Sequence, residues 1–441
     1  MKIVHCLSHF LPAQTAGTEV YTWALCKNLL KKGIESEILI PNYNEFNNSF
    51  YEYDSIKVNK YAEPSINDKK LKMGLRPPDG LERFKNLLQR INPDIVHFHE
   101  LAGSSGIGIY HIKIAASLGY KCVMTFHLAN YSCKAQTLMY KGVTLCDGII
   151  DENKCASCML ALNSPPAVAS SISFLSKIIY KLGINVMGFR SKIMTGISYP
   201  FNIHKLKKDL ELLTKKCDRV VVISKWYENI LKKNNVPADK IIYIPQGLVP
   251  QNIAFTNKSE KPGANMIRLL FLGRISKYKG LHLLLDSMKI INNPNINIDI
   301  YGFDPDDDYA KACKERIKGM PNIEFRGKIS PERVVTTMSN YDGLILPSTF
   351  SEMSPLVIQE AFAAKIPVIA SDVYGNAEQI SNGKNGWLFK YNDSDDLARV
   401  LTELLEQPSM LQQAKKYIPE VLNFEKISDD YIKLYKTILS E

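Results

Sequence analysis

Two glutamates, Glu352 and Glu360, flank a Ser354-Pro355 pair in the stretch SEMSPLVIQEAFAAKIPVIASD, residues 351–372. Proline suits the first position of a helix, where its missing N–H would be unpaired anyway, and serine is a favoured N-cap. The spacing predicts a helix opening at Pro355, with Glu352 just outside its mouth and Glu360 in its second turn. A helix mouth presents free N–H groups and partial positive charge, which suits phosphates or sugar hydroxyls. Upstream, FLGRISKYKG, residues 271–280, ends a strand at Gly273 and puts Arg274 and Lys279 in the loop that follows. Arginine offers a bidentate fork and lysine a point charge, so the pair suits a diphosphate; read alone, they are equally two solvated loop cations.

A second concentration is in sulfur. Cys133, Cys146, Cys155 and Cys158 are spaced C-x12-C-x8-C-x2-C, four of the nine cysteines of the chain. Four thiolates can close a tetrahedral zinc site, hold an iron–sulfur cluster, or remain plain thiols. Cys6, Cys26, Cys122, Cys217 and Cys313 read as core or incidental. His97 and His99 alternate along VHFH and read as structural.

The elements that must position these residues are written as alternating apolar runs and amphipathic stretches. IVHCL, SEILIP, DIVHFH, KCVMTFH, RVVVIS and KIIYIPQG are strand-like, with helices expected near 18–32, 109–118 and from Lys225. A polar, turn-rich linker at 256–266 follows, and the pattern restarts. IRLLFLG, NIDIYG, IEFRG, GLILP and PVIAS alternate with helices at 281–291, 310–317, 331–339 and 355 onward, then 394–405 and 427–439. Such βαβ series predict parallel sheets covered on both faces. The expected architecture is α/β, with two doubly wound, Rossmann-like halves facing an interdomain cleft: residues 1–255, residues 265–422, and a last helix at 423–441 packing back on the first half. Residues 128–210 break the rhythm and read as a helical, cysteine-rich insert.

The 441 residues are 45% hydrophobic and 23% charged, ordinary for a soluble two-domain chain, with a net charge of +10. That balance fits an anionic membrane surface or anionic substrates; without a compact basic block interleaved with aromatics, no nucleic acid partner is expected. No apolar run is long enough to span a bilayer, and the N-terminal MKIVHCLSHFLP reads as a strand rather than a leader, so a cytoplasmic location is expected. The apolar-plus-basic tract at 170–194 suggests peripheral contact with a membrane or a lipid-borne acceptor.

GRISKYKG and SEMSPLVIQEAFAAKIPVIASDVYGNAEQISNGKNGWLF together resemble the second domain of family-four retaining glycosyltransferases of the GT-B fold, whose E-x7-E element matches Glu352 and Glu360. HFLPAQTAGTEVYTWALCKNLLKKG is similar to the family's glycine-containing loop and first helix, PDIVHFHE to its mid-domain strand, and TFH to the strand end bearing its active-site histidine. Ala16 stands where many relatives have a second glycine. YSCKAQTLMYKGVTLCDG followed by CASC resembles an insert in a subset of the family. The resemblance implies a hexosyl transfer from a nucleotide diphosphate sugar to a glycan or lipid-linked saccharide hydroxyl in cell-surface polysaccharide synthesis. It implies that Arg274 and Lys279 hold the diphosphate in place of a catalytic metal. Glu360 would accept from the ribose, and Glu352 from the transferred sugar, aided by the N–H of Ser354 or Leu356. Gly17 would let backbone approach the phosphates, His127 would sit near the sugar on the acceptor side, and Glu378 is a weaker candidate. The stretch Lys328–Pro331, with Ile329, would approach the base; the lack of an acidic partner for guanine at Ile329–Pro331 favours uridine over guanosine. The competing readings are an epimerase or phosphorylase of the same fold, or an inactive sugar-nucleotide-binding subunit.

Overall fold

The computed structural model describes residues 1–64, 69–99, 106–189, 191–248 and 266–441. The expected linker, Met266 apart, lies outside them. Two compact units are present: Met1–Gly142 with Cys146–Pro245 and Phe424–Glu441, and Gln246–Asn423 with the strip Val143–Leu145.

The first unit is built on β1 (Lys2–Cys6), β2 (Glu35–Tyr43), β3 (Ser49–Tyr53), β4 (Ile56–Glu63), β5 (Ile95–His99) and β6 (Lys121–Phe126). The two-residue strands β7 (Met139–Tyr140) and β8 (Thr144–Leu145) come next along the chain, β8 in the strip assigned to the second unit, and β9 (Arg219–Val222) and β10 (Ile241–Tyr243) complete the first unit. The main sheet runs β10-β9-β6-β5-β1-β2-β4-β3. Its central strands are buried along both faces, as near-continuous apolar runs require. The expectation of a wholly parallel sheet fails at one edge, where β3 pairs antiparallel with β4. Asp54 and Ser55, with φ of 52° and 64°, close that hairpin in a two-residue turn of the primed kind.

Between β6 and β9 the described residues form four helices, Glu152–Asn163, Pro166–Lys181, Lys192–Ile197 and Tyr199–Lys216, and the last of these packs on helix Ile109–Ser117. The C-terminal helix, Phe424–Ser440, lies on helix Gly17–Lys31. Its buried residues Ile427, Tyr431, Leu434, Tyr435 and Ile438 recur at helical spacing, which makes one continuous face.

Among its described residues the second unit has six parallel strands, β11 (Ile267–Leu272), β12 (Ile296–Tyr301), β13 (Ile323–Gly327), β14 (Gly343–Leu346), β15 (Val368–Ser371) and β16 (Gly386–Phe389), in the order β13-β12-β11-β14-β15-β16. Ile267, Leu269 and Phe271 of β11 point into one core with helices Leu281–Ile291 and Ser394–Glu406. Leu270 points into the opposite core with Val334–Met338 and Leu356–Ala363. This is the doubly wound order, and the direction of winding reverses between β11 and β14. In such sheets ligands bind at that reversal, outside the carboxyl ends of the strands. The helix expected at 331–339 is a 3-10 turn, Pro331–Arg333, running into the short helix Val334–Met338.

Candidate functional site

In the second unit, the loops after β11 and β14 meet at the winding reversal. Gly280 sits at φ 71°, and a Cβ there would lie 1.7 Å from the Pro347 carbonyl oxygen, so only glycine allows the approach. The Thr349 N–H donates to the Tyr278 carbonyl at 2.8 Å and its hydroxyl to the Lys277 carbonyl at 2.9 Å. Across this seam Lys279 Nζ donates to Glu352 Oε1 at 2.6 Å, and Ser348 Oγ donates to the same oxygen at 2.7 Å. Glu352 is buried, and a buried charge needs such partners. Both contacts fall on Oε1; Oε2 has no partner among the described residues. Ser348 carried no signal in the sequence beyond its place just after β14.

The helix beyond Glu352 begins one residue later than the spacing predicted. Pro355 is the cap, with φ −66° and ψ 118°, and Leu356 is the first helical residue. Ser354 does not cap it, since no side chain does. The N–H groups of Leu356 and Val357 therefore form the partly positive mouth of a helix that no side chain caps. Ile358, Ala361 and Phe362 face the core, which leaves Glu360 on the other side of the helix. Burial pushes the Glu360 carboxyl up to about 7, and neither a hydrogen bond nor a cation offsets it.

Arg274 makes no contact with the Lys279–Glu352–Ser348 group among the described residues. Its guanidinium lies 5.9 Å from the ring centre of Phe303, and Lys328 Nζ lies 4.6 Å from the same ring. Phe303 is 47% exposed, so two cations flank an open aromatic face. Ile329, the next residue, packs partly buried against the core. Glu378 ends the short helix Tyr374–Ala377, whose Gly375 approaches the Glu352 carbonyl too closely for any side chain.

In the first unit, helix Gly17–Lys31 also starts without a side-chain cap. Ala16 is extended, at φ −137°, a conformation open to any residue. A Cβ on Gly17 would touch nothing within 4 Å, so the fold itself does not require glycine there.

His127 follows β6 and belongs to a chain of imidazoles on adjacent strand ends. His5 Nδ1 is 2.9 Å from His99 Nε2, and His99 Nδ1 is 3.3 Å from His127 Nε2. Burial holds His5 and His127 down at about 3 and His99 well below its usual range, so all three are neutral. A second network runs beside it, in which His97 Nδ1 meets Tyr435 OH and His97 Nε2 meets Thr125 Oγ1, each at 2.7 Å. Thr125 then meets Tyr431 OH at 2.9 Å, and Tyr21 OH donates to Tyr431 OH at 3.0 Å. His97 is thus a buried structural histidine, and His99 lies in the chain that ends on His127.

The four cysteines of the insert are half-buried. Burial pushes the Cys155 thiol up to about 11, and the charges of Cys146 and Cys133 add to it. The Lys141 N–H donates to Cys158 Sγ at 3.0 Å. The donor set suits a soft metal ion, yet no three of these sulfurs lie within 4.8 Å of one another, whereas a tetrathiolate zinc site would draw them to about 4 Å.

The chain matches two family models in succession, one described as Glycosyltransferase Family 4 over residues 15–150 and one as Glycosyl transferases group 1 over residues 254–421. Among curated proteins it is 27% identical to an uncharacterized glycosyltransferase of Methanocaldococcus jannaschii, over 52% of this chain and 61% of that protein. It is 25% identical to an O-antigen chain mannosyltransferase C of Escherichia coli, over 46% of this chain and 56% of that protein. The matches thus span about 60% of the length of the curated relatives. Among solved structures, a sucrose-phosphate synthase from Thermosynechococcus elongatus superposes with a TM-score of 0.67 at 16% identity, covering 100% of this chain and 99% of that one. Anabaena HepE in complex with UDP and glucose superposes with a TM-score of 0.61 at 13% identity, covering 99% and 100%.

The Glu360 environment sets a pH test that needs no ligand. A carboxyl raised from 4.5 to about 7 binds its proton more tightly folded than unfolded, so its contribution to stability is full below 4.5 and lost as pH rises through 7. Relative to wild type, Glu360→Gln is therefore expected to gain unfolding free energy steadily from pH 5 to 7 and to level off above. Denaturant titrations of both proteins across that range measure it, and a pH-independent difference would mean the carboxyl titrates normally.

Proposed function

We propose that this glycosyltransferase of the GT-B fold is a retaining enzyme that transfers a hexose from a nucleoside diphosphate sugar to a hydroxyl of a glycan or lipid-linked saccharide, in the synthesis of a cell-surface polysaccharide. The carrying observation is the Lys279–Glu352–Ser348 contact at the winding reversal, with one carboxylate oxygen open and an uncapped helix mouth directly after it. The names of relatives that act in O-antigen synthesis support the pathway class.

In this reading Lys279 and Arg274 neutralise the diphosphate as it leaves, the work a metal ion does in other transferases. Glu352 Oε2 accepts from a hydroxyl of the transferred sugar while Oε1 stays fixed by its two donors. The mouth at Leu356 adds N–H groups, and Glu360 takes the ribose hydroxyls. The backbone at Lys328–Ile329 takes the base, which we assign to uridine because Ile329–Pro331 carries no carboxylate to hold guanine. In the first unit, Gly17 admits the phosphates and His127 lies by the sugar on the acceptor side.

The insert carries two further parts of the proposal. Helix Pro166–Lys181 and the chain after it expose Phe174, Ile178, Leu182, Phe189 and Ile193, with Lys177, Lys181 and Lys192 among them. An apolar face edged with lysines fits the cytoplasmic leaflet, where each cation contributes about 1 kcal/mol. No described helix is long and apolar enough to cross a membrane. Cys133, Cys146, Cys155 and Cys158 would hold one structural zinc, which would tighten the knob that follows His127.

Incubation with a panel of radiolabelled nucleotide sugars, with and without saccharide acceptors, tests the reaction. Transfer from one donor is expected, with the donor's anomeric configuration kept in the product by NMR; inversion, or hydrolysis without transfer, would refute it. Vesicle flotation is expected to show binding to anionic vesicles that weakens with salt, and no binding at any salt would reduce the tract to a packing element. Elemental analysis should find about one zinc per chain. Cys155→Ser is then expected to lower thermal stability and acceptor turnover while nucleotide binding survives. Metal-free protein with four alkylatable thiols and a fully active Cys155→Ser variant would defeat the zinc assignment.

A further inference from the structure

His5, His99 and His127 stand at the carboxyl ends of β1, β5 and just past β6, three neighbouring strands that include the winding reversal of the first sheet. Their rings link end to end, and the last free atom on each side differs. His5 Nε2 is fully buried with no partner among the described residues. His127 Nδ1 is the one nitrogen of its ring without a partner among the described residues, and it is not among the atoms sealed from solvent.

Each neutral imidazole carries one N–H, so two shared contacts allow only two proton arrangements. In one, His127 Nε2–H donates to His99, and His99 Nε2–H donates to His5. That leaves an orphaned N–H on buried His5 Nε2 and a lone pair on His127 Nδ1. In the other, His5 Nδ1–H donates to His99 Nε2 and His99 Nδ1–H donates to His127 Nε2. Only a lone pair is then stranded at His5, and His127 presents an N–H outward. Orphaned buried N–H groups are rarely tolerated, which selects the second arrangement. A metal shared by His5, His97 and His99 is disfavoured, although one nitrogen of each lies within 4.8 Å of the others. Both nitrogens of His97 are already engaged by Tyr435 and Thr125, which leaves two donors.

We propose that His5 and His99 are positioning residues that lock His127 as the Nδ1–H tautomer, so that it offers a hydrogen-bond donor, never an acceptor, to an oxygen of the transferred sugar. The sugar as its partner rests on the function proposed above; the tautomer does not. The neutral Nδ1–H form is the less populated one for a free histidine side chain, so its presence at three linked histidines is diagnostic.

The test is long-range 1H–15N correlation NMR of the full-length protein labelled only at histidine, paired with transfer kinetics. In wild type, His5, His99 and His127 are expected as Nδ1–H tautomers; His127 as Nε2–H would overturn the proposal. His5→Phe removes the donor to His99 and should return His127 toward Nε2–H, with kcat lowered about tenfold and the donor KM changed less than about twofold. His5→Asn, whose amide N–H stands near the place of Nδ1–H, should keep both the tautomer and most of kcat. It also serves if the Phe variant fails to fold. A His127 tautomer shift without any change in kcat would overturn the catalytic half. Nδ1–H histidines in a protein that transfers no sugar would leave the chain standing and remove only the function it serves.

Discussion

One carboxylate oxygen organises the second unit. Glu352 Oε1 is where the loop after β11, through Lys279, and the loop after β14, through Ser348, are tied together. Removing one partner of a buried pair costs about 3–5 kcal/mol, because the remaining charge is stranded. The figure falls here to the extent that Lys279 still reaches water. The seam is therefore as much a constraint as a bond. Gly280 must lack a side chain to let the loops touch, and Gly375 must lack one to pass the Glu352 carbonyl. With Oε1 committed, Oε2 is held at a fixed place with an unused lone pair, and the uncapped helix mouth begins three residues on.

The first unit solves a different problem. It brings four histidines to the carboxyl edge of a buried sheet, where burial keeps them neutral, and it pairs them with one another, with Thr125 and with the C-terminal helix, leaving only His5 Nε2 and His127 Nδ1 without a partner among the described residues. Tyr431 and Tyr435 enter as polar tips on an otherwise apolar helix face, reaching Thr125 and His97. Docking of the last helix is thus specified by hydrogen bonds to β5 and β6 as well as by apolar burial. The same contacts keep His97 out of the chain that ends on His127.

The doubly wound halves were legible because parallel strands buried on both faces are written as short apolar runs, and every such run singled out in the second half is a strand. The β3–β4 hairpin was not, because its turn is Asp54-Ser55 rather than the Asn-Gly or Asp-Gly that usually marks a primed turn. Glu352 and Glu360 stood out by their spacing across Ser354-Pro355, yet the cap fell on Pro355, whose extended ψ delays the helix by one residue. Ser348 and Phe303 left no local mark: one matters through a partner four residues on, the other through cations from two separate loops. His5 and His99 show the same limit. Their relation to His127 spans three strands, and only sheet register brings them together.

The central claim is that Lys279, held by Glu352, supplies the charge that a leaving nucleoside diphosphate requires. Its most direct measurement is the single-turnover rate of sugar transfer by Lys279→Ala at saturating donor with a chelator present. The account predicts a loss of about a hundredfold or more against wild type under the same conditions, the scale of removing a preorganised charge-stabilising donor. A Lys279→Ala enzyme that transfers at the wild-type rate would contradict it.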